Sequence, residues 1–66
     1  MSAKLKREAL LLLREQPLTL KELAEKMGLK EKRAFRILRS LFEKGEITSF
    51  RGEDNQRRYG VSKPSV

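Results

Sequence analysis

The 66-residue sequence contains no cysteine and no histidine. Disulfides are excluded, and so is any metal centre built on Cys or His ligands, the structural zinc finger included. The lack of cysteine pairs fits a reducing compartment. Without histidine or cysteine, acid–base or nucleophilic chemistry would fall to a carboxylate, lysine, tyrosine or hydroxyl. The acids Glu22, Glu25 and Glu31 fall on helix surfaces among lysines rather than in pairs within an apolar cleft, so no enzyme is expected. No apolar run approaches the length of a membrane span, and the start has neither the apolar core nor the cleavage site of a signal peptide. A cytoplasmic location without membrane attachment is expected. Glycine-rich phosphate loops, internal repeats, low-complexity tracts and linkers are all missing. Residues 1–66 therefore read as one small domain, with no cofactor and a modest core.

Positive charge is what the chain has in excess. Sixteen Lys plus Arg against nine Asp plus Glu give a formal net charge of +7 at pH 7. On so small a body this predicts attraction to polyanions. Solubility alone is the plainer explanation of net charge, but here the cations cluster rather than spread.

The clustering follows from residues 19–45, TLKELAEKMGLKEKRAFRILRSLFEKG. Thr19 and Glu22 form a T-x-x-E capping box, in which a hydroxyl and a carboxylate satisfy backbone N–H groups at a helix start. Leu20, Leu23, Ala24 and Met27 follow at i, i+3, i+4 and i+7, one apolar stripe on a short helix. Gly28 supplies a left-handed stop, and Leu29 can plug the turn. A further helix runs over about residues 30–44, ended by Gly45. On it Ala34, Ile37, Leu38 and Leu41 share one face, while Lys32, Arg36, Arg39, Ser40 and Glu43 lie opposite and Arg33 sits on the shoulder. A helix stabilised for its own sake would mix signs at i, i+4. Here Lys32, Arg33, Arg36 and Arg39 have only Glu31 nearby. For an arbitrary helix this would be a solvated basic face. After a helix and a Gly-Leu turn, it is the arrangement that puts the second helix into a major groove.

Before this unit, about residues 3–16 form a first helix, with Ser2 as its cap and Pro17 as its end. Leu5, Ala9, Leu12 and Leu13 face the core, Leu10 lies on the flank, and Leu11 points nearly opposite. Leu11 reads either as a scattered exposed leucine or as a partner surface. Leu18 starts a short extended segment. Beyond Gly45 the period shifts toward 2. Glu46–Arg51 and Gln56–Val61 read as two strands around the turn residues Gly52–Asn55, a hairpin over about residues 46–61. Ile47, Tyr59 and Val61 point inward; Thr48, Phe50 and Arg58 point outward, with Arg51 and Arg57 near the tip. Phe50 either packs on the stem of Arg58 or meets a partner or an unstacked base. Two acids, Glu53 and Asp54, cannot neutralise Arg51, Arg57, Arg58 and Lys63. Ser62–Val66 form a short tail.

LTLKELAEKMGLKEKRAFRILRSLFEKGEI, followed by RRYGVS, resembles the helix-turn-helix of the winged-helix superfamily. The resemblance covers roughly residues 5–63. It implies an α+β, mostly α, three-helix winged helix-turn-helix with a C-terminal β-hairpin wing. It also implies a transcription regulator or chromosome-associated protein, hence a location on the nucleoid. One position departs from the family pattern, which places Ser, Thr or Asp at the cap of the recognition helix: Lys30 stands there, so either the first turn is frayed or Glu31 offsets the missing cap through the helix dipole. PLTLKELAEKMGL, EKGEI and RRYGVSKP are also similar to the N-terminal winged-helix module of ribonuclease R, which would make RNA the ligand.

The expectation is double-stranded DNA, contacted by Lys32, Arg33, Arg36, Arg39, Ser40, Arg51, Arg57 and Arg58. Arg33 and Arg36 can read bases, since a guanidinium pairs bidentately with guanine. Lys32 and the wing's Arg51, Arg57 and Arg58 grip phosphate. The alternatives are the RNA module and a protein-interaction module using Leu11, Phe35, Phe42 and Phe50, although core packing is the expected job of Phe35 and Phe42. The protein is expected to be a monomer, or a weak homodimer through the first helix.

Overall fold

The computed structural model describes residues 3–62. The Ser2 cap and the positions from Lys63 onward lie outside them. Three helices, α1 (Ala3–Glu15), α2 (Leu20–Met27) and α3 (Glu31–Glu43), precede two strands, β1 (Ile47–Arg51) and β2 (Arg57–Val61). The strands form an antiparallel hairpin in the register Ile47↔Val61, Ser49↔Tyr59, Arg51↔Arg57. This is a three-helix winged helix-turn-helix with a C-terminal wing.

Local chemistry sets each boundary. The Thr19 hydroxyl accepts from the Glu22 amide (3.1 Å), and the Glu22 carboxylate accepts from the Thr19 amide (3.0 Å). Both halves of the capping box are thus made. Gly28 takes φ +69°, and the turn closes with Gly28 N–H to the Glu25 carbonyl and Leu29 N–H to that of Ala24. The same pairing recurs where α3 ends: Gly45 N–H donates to Phe42 and Glu46 N–H to Leu41, with Gly45 at φ +75°. Both ends are Schellman motifs, which need the left-handed backbone that glycine adopts without a Cβ clash. At the wing tip Asn55 takes that conformation at φ 68°, which asparagine tolerates.

Ala34, Ile37, Leu38 and Leu41 of α3 are buried with Leu23 and Ala24 of α2 and with Ala9 and Leu13 of α1. Ile47 joins them from the wing, and Leu5, Leu12, Leu29, Tyr59 and Val61 pack around that cluster. Leu18, also buried, exchanges backbone hydrogen bonds with Tyr59 (3.0 and 2.8 Å). The extended segment after Pro17 therefore acts as a third edge on the hairpin and ties β2 to the start of α2.

One expectation is corrected. Phe35 and Phe42 do not pack in the core; they are 46% and 52% exposed, because positions 34, 37, 38 and 41 already fill the buried stripe and 35 and 42 fall on its edge. Phe50 stands directly opposite Arg58 in the hairpin register. Its ring leans diagonally over Gly60, where an added Cβ would lie 3.5 Å from Phe50 Cε1 and 3.9 Å from Pro17. The Arg58 guanidinium is held by acids.

Candidate nucleic-acid interface

Lys32, Arg33 and Arg36 are all exposed on α3. With Lys30 they line one open cleft of about 450 Å³ that has no acidic lining residue. Among the described residues none of the three forms an ion pair. Four like charges around one concavity repel one another, and a polyanion relieves that repulsion. Lys30 is the unforeseen member of the set. Its extended backbone (φ −73°, ψ 152°) occupies the N-cap of α3, but its side chain makes no cap hydrogen bond. The first amides of α3 therefore lack a side-chain cap beside the cations, with Glu31 as the one acid in that turn to offset the positive end of the helix dipole.

The other two α3 positions are placed differently. Arg39 donates from Nε to Glu43 Oε2 at 3.2 Å, with both side chains largely exposed. Such an i, i+4 pair is weak and yields easily to a phosphate. Ser40 is half-buried, and its carbonyl accepts from the Lys44 amide.

On the wing, Arg51 and Arg57 are exposed and directly opposite each other at the end of the ladder. Like charges across a strand pair destabilise it, so this end of the sheet carries unrelieved charge. Arg58 is otherwise engaged. Its guanidinium bridges Glu22 Oε1 of α2 at 2.9 Å and Asp54 Oδ2 of the wing turn at 2.7 Å. Its side chain lies across Gly52, where an added Cβ would come within 2.9 Å of Arg58 Cδ. The hydrogen bond to Asp54 and the nearby carboxylates hold the guanidinium above its ordinary pKa. Glu22 is held below the usual carboxylate range, first by the Thr19 amide and then by Arg58. Asp54 is likewise lowered, first by the Gln56 amide and then by Arg58. Arg58, expected to grip phosphate, here clamps the wing turn to the start of α2. The Asp54–Arg58 half is legible from spacing across a turn. The Glu22 half joins residues 36 apart, and nothing in the sequence signals it.

The candidate interface thus has three parts: a cationic cleft at the start of α3, a cationic wing end, and an ion-paired hinge between wing and helix. Among the described residues no helix is long and apolar enough to cross a membrane.

The MarR family model matches residues 9–59. No curated protein matches the chain. Among solved structures, a mutant of ZitR from Lactococcus lactis superposes with a TM-score of 0.88 at 23% identity, covering 96% of this chain and 44% of that one. The chain thus spans less than half the length of that protein, and at this identity the likeness is one of fold.

Proposed function

The chain belongs to the MarR family of winged helix-turn-helix DNA-binding transcription regulators, and from that premise we propose that α3 enters the major groove of duplex DNA while the wing tracks the backbone. The observation that carries this reading is the acid-free cleft of Lys30, Lys32, Arg33 and Arg36 at the uncapped start of α3. Arg33 and Arg36 extend toward base edges, where a guanidinium can take guanine O6 and N7 together. Lys30, Lys32, Arg51 and Arg57 contact phosphate, with Arg39 joining when Glu43 releases it and Ser40 as a minor polar contact. Arg58 sets the angle of the wing rather than touching DNA. The family's regulators are in general not enzymes, and the role proposed here is binding alone, on chromosomal DNA in the cytoplasm.

Most of the affinity is electrostatic, so binding should fall linearly in log–log coordinates as salt rises. Titrating specific and random duplexes across a salt series tests this. Affinity independent of salt would sink the reading. Homodimers are typical of the family. For this chain we place a weak dimer contact on α1, around Leu11, which is 53% exposed. Sedimentation should show the dimer lost in Leu11→Glu; a tight dimer untouched by that change would rule the surface out.

A further inference from the structure

A second concavity lies on the other flank of α3, between that helix and the wing. It holds about 170 Å³ and is lined by Phe35, Leu38 and Phe42 from α3 and by Tyr59 from β2, with Arg39 and Arg57 among its walls. Phe35 and Phe42 stand two helical turns apart, about 10.5 Å along the axis, so they offer two ring platforms rather than one closed pocket. Both are about half exposed. The duplex reading leaves them without a task, because a paired base shows a protein only its edge. A half-exposed aromatic surface between two arginines suits a base whose face is open.

We propose that this groove binds single-stranded nucleic acid, with unstacked bases on Phe35 and Phe42 and the strand's phosphates on Arg57 and Arg39. Charge complementarity selects the occupant. The chain carries +7, and among the described residues Arg57 forms no ion pair and Arg39 holds only the exposed Glu43. An apolar protein segment would bury those guanidinium groups without a counter-charge, which is costly. A nucleic-acid strand supplies a ring face and a phosphate in every unit.

The test uses the chain's own fluorophore. Tyr59 is its single tyrosine, and there is no tryptophan, so intrinsic emission reports on this groove. The probes are a short oligothymidylate and an abasic strand of equal length and charge. Oligothymidylate should bind at least about fivefold tighter, the lower end of what one base–aromatic stack is worth, and should quench Tyr59 more than the abasic strand at saturation. Phe35→Leu and Phe42→Leu should remove that preference with unchanged helical circular dichroism, and Phe35→Trp should keep it. Equal affinity of the wild type for the two strands overturns the proposal without needing any variant, as does a preference that survives both leucine substitutions. In either case no base stacks on this groove. The duplex reading is judged separately, by Arg36→Ala on duplex DNA. Oligothymidylate preference with no duplex binding would leave this site standing and remove the other; the reverse would do the opposite.

Discussion

The two helices of the helix-turn-helix begin in contrasting ways. At α2 the Thr19 hydroxyl and the Glu22 carboxylate close a full capping box, Thr19 is buried, and Arg58 adds a third hydrogen bond to Glu22. At α3 the cap position is Lys30, with no side-chain hydrogen bond, and the next turn carries Lys32 and Arg33 with Glu31 as its one acid. One helix start is neutralised from three directions; the other is left with unmet N–H groups among cations. A cap residue such as Ser or Asp would satisfy those groups. Its absence at α3 costs stability and keeps an electropositive end facing solvent, where a phosphate can take the place of the missing cap. On the proposed function, the contrast separates a helix that supports from a helix that binds.

The comparison presupposes a shared core, and the largest expected effect comes from breaking it. Leu38→Ala or Leu23→Ala removes a side chain that is 1% or 0% exposed and should cost about 2–5 kcal/mol. In a chain this short that approaches the whole stability. Thermal unfolding followed by circular dichroism would show it, and an unchanged melting temperature would mean that the two helices do not share this core.

Next in size is the binding side. Arg36→Ala should cost about 1–3 kcal/mol on the preferred duplex and relax specificity at one base pair, with the fold intact because the side chain is exposed. Competition titrations against single-base variants of the site check it. An equal loss on every duplex would reassign Arg36 to phosphate.

The two caps themselves can be exchanged. Thr19→Ala should destabilise by about 0.5–2 kcal/mol. Lys30→Asp should act in reverse, since the backbone at 30 already has the extended geometry of a cap; it should gain about 1 kcal/mol while weakening duplex binding. Chemical denaturation and duplex titration, read together, test the pair. If Lys30→Asp lost stability, or gained it without losing affinity, the uncapped start of α3 would have no part in binding.

How much of this was legible in the sequence divides by distance along the chain. The capping box, the stops at Gly28 and Gly45, and the buried stripe Ala34–Ile37–Leu38–Leu41 depend on neighbours within a turn or two, and periodicity states them outright. The inward set Ile47, Tyr59 and Val61 was readable from the period-2 pattern. Lys30 was visible as a missing cap, but its membership in the cationic cleft requires knowing where α3 turns. The Arg39–Glu43 bond was within reach at i, i+4, though both residues read simply as a solvated face. The Leu18–Tyr59 bridge and the Arg58–Glu22 contact were beyond reach, since both depend on how the wing folds back on the start of α2. Phe35 and Phe42 failed for another reason: hydrophobicity argues for burial, and only the width of the core decides how much of a flank it can cover.

The smallest expected effects separate neighbouring arginines of the wing and carry the contrast from helix starts to single side chains. Arg57→Ala, removing an exposed cation that forms no ion pair among the described residues, should lower the salt slope of duplex binding by about one unit. Arg58→Ala should leave that slope nearly unchanged and instead alter the acid limb of stability. Glu22 and Asp54 have depressed folded-state pKa values, so each contributes stability that is present above the unfolded carboxylate range, about pH 4–5, and is lost as pH falls through the lower folded value. Arg58 is a secondary cause of both depressions, behind the Thr19 and Gln56 amides. Its removal should therefore shrink the loss between neutral and acid pH without abolishing it. Thr19→Pro, which removes the amide that is the first cause at Glu22, should shrink the Glu22 share further, although it also removes the hydroxyl that caps α2, which makes Arg58→Ala the cleaner variant. Stability of the wild type, Arg57→Ala and Arg58→Ala measured from neutral pH down to about pH 3 decides it. Parallel curves for all three, with a reduced salt slope in Arg58→Ala, would show that Arg58 is one more phosphate contact and that the wing has no clamp.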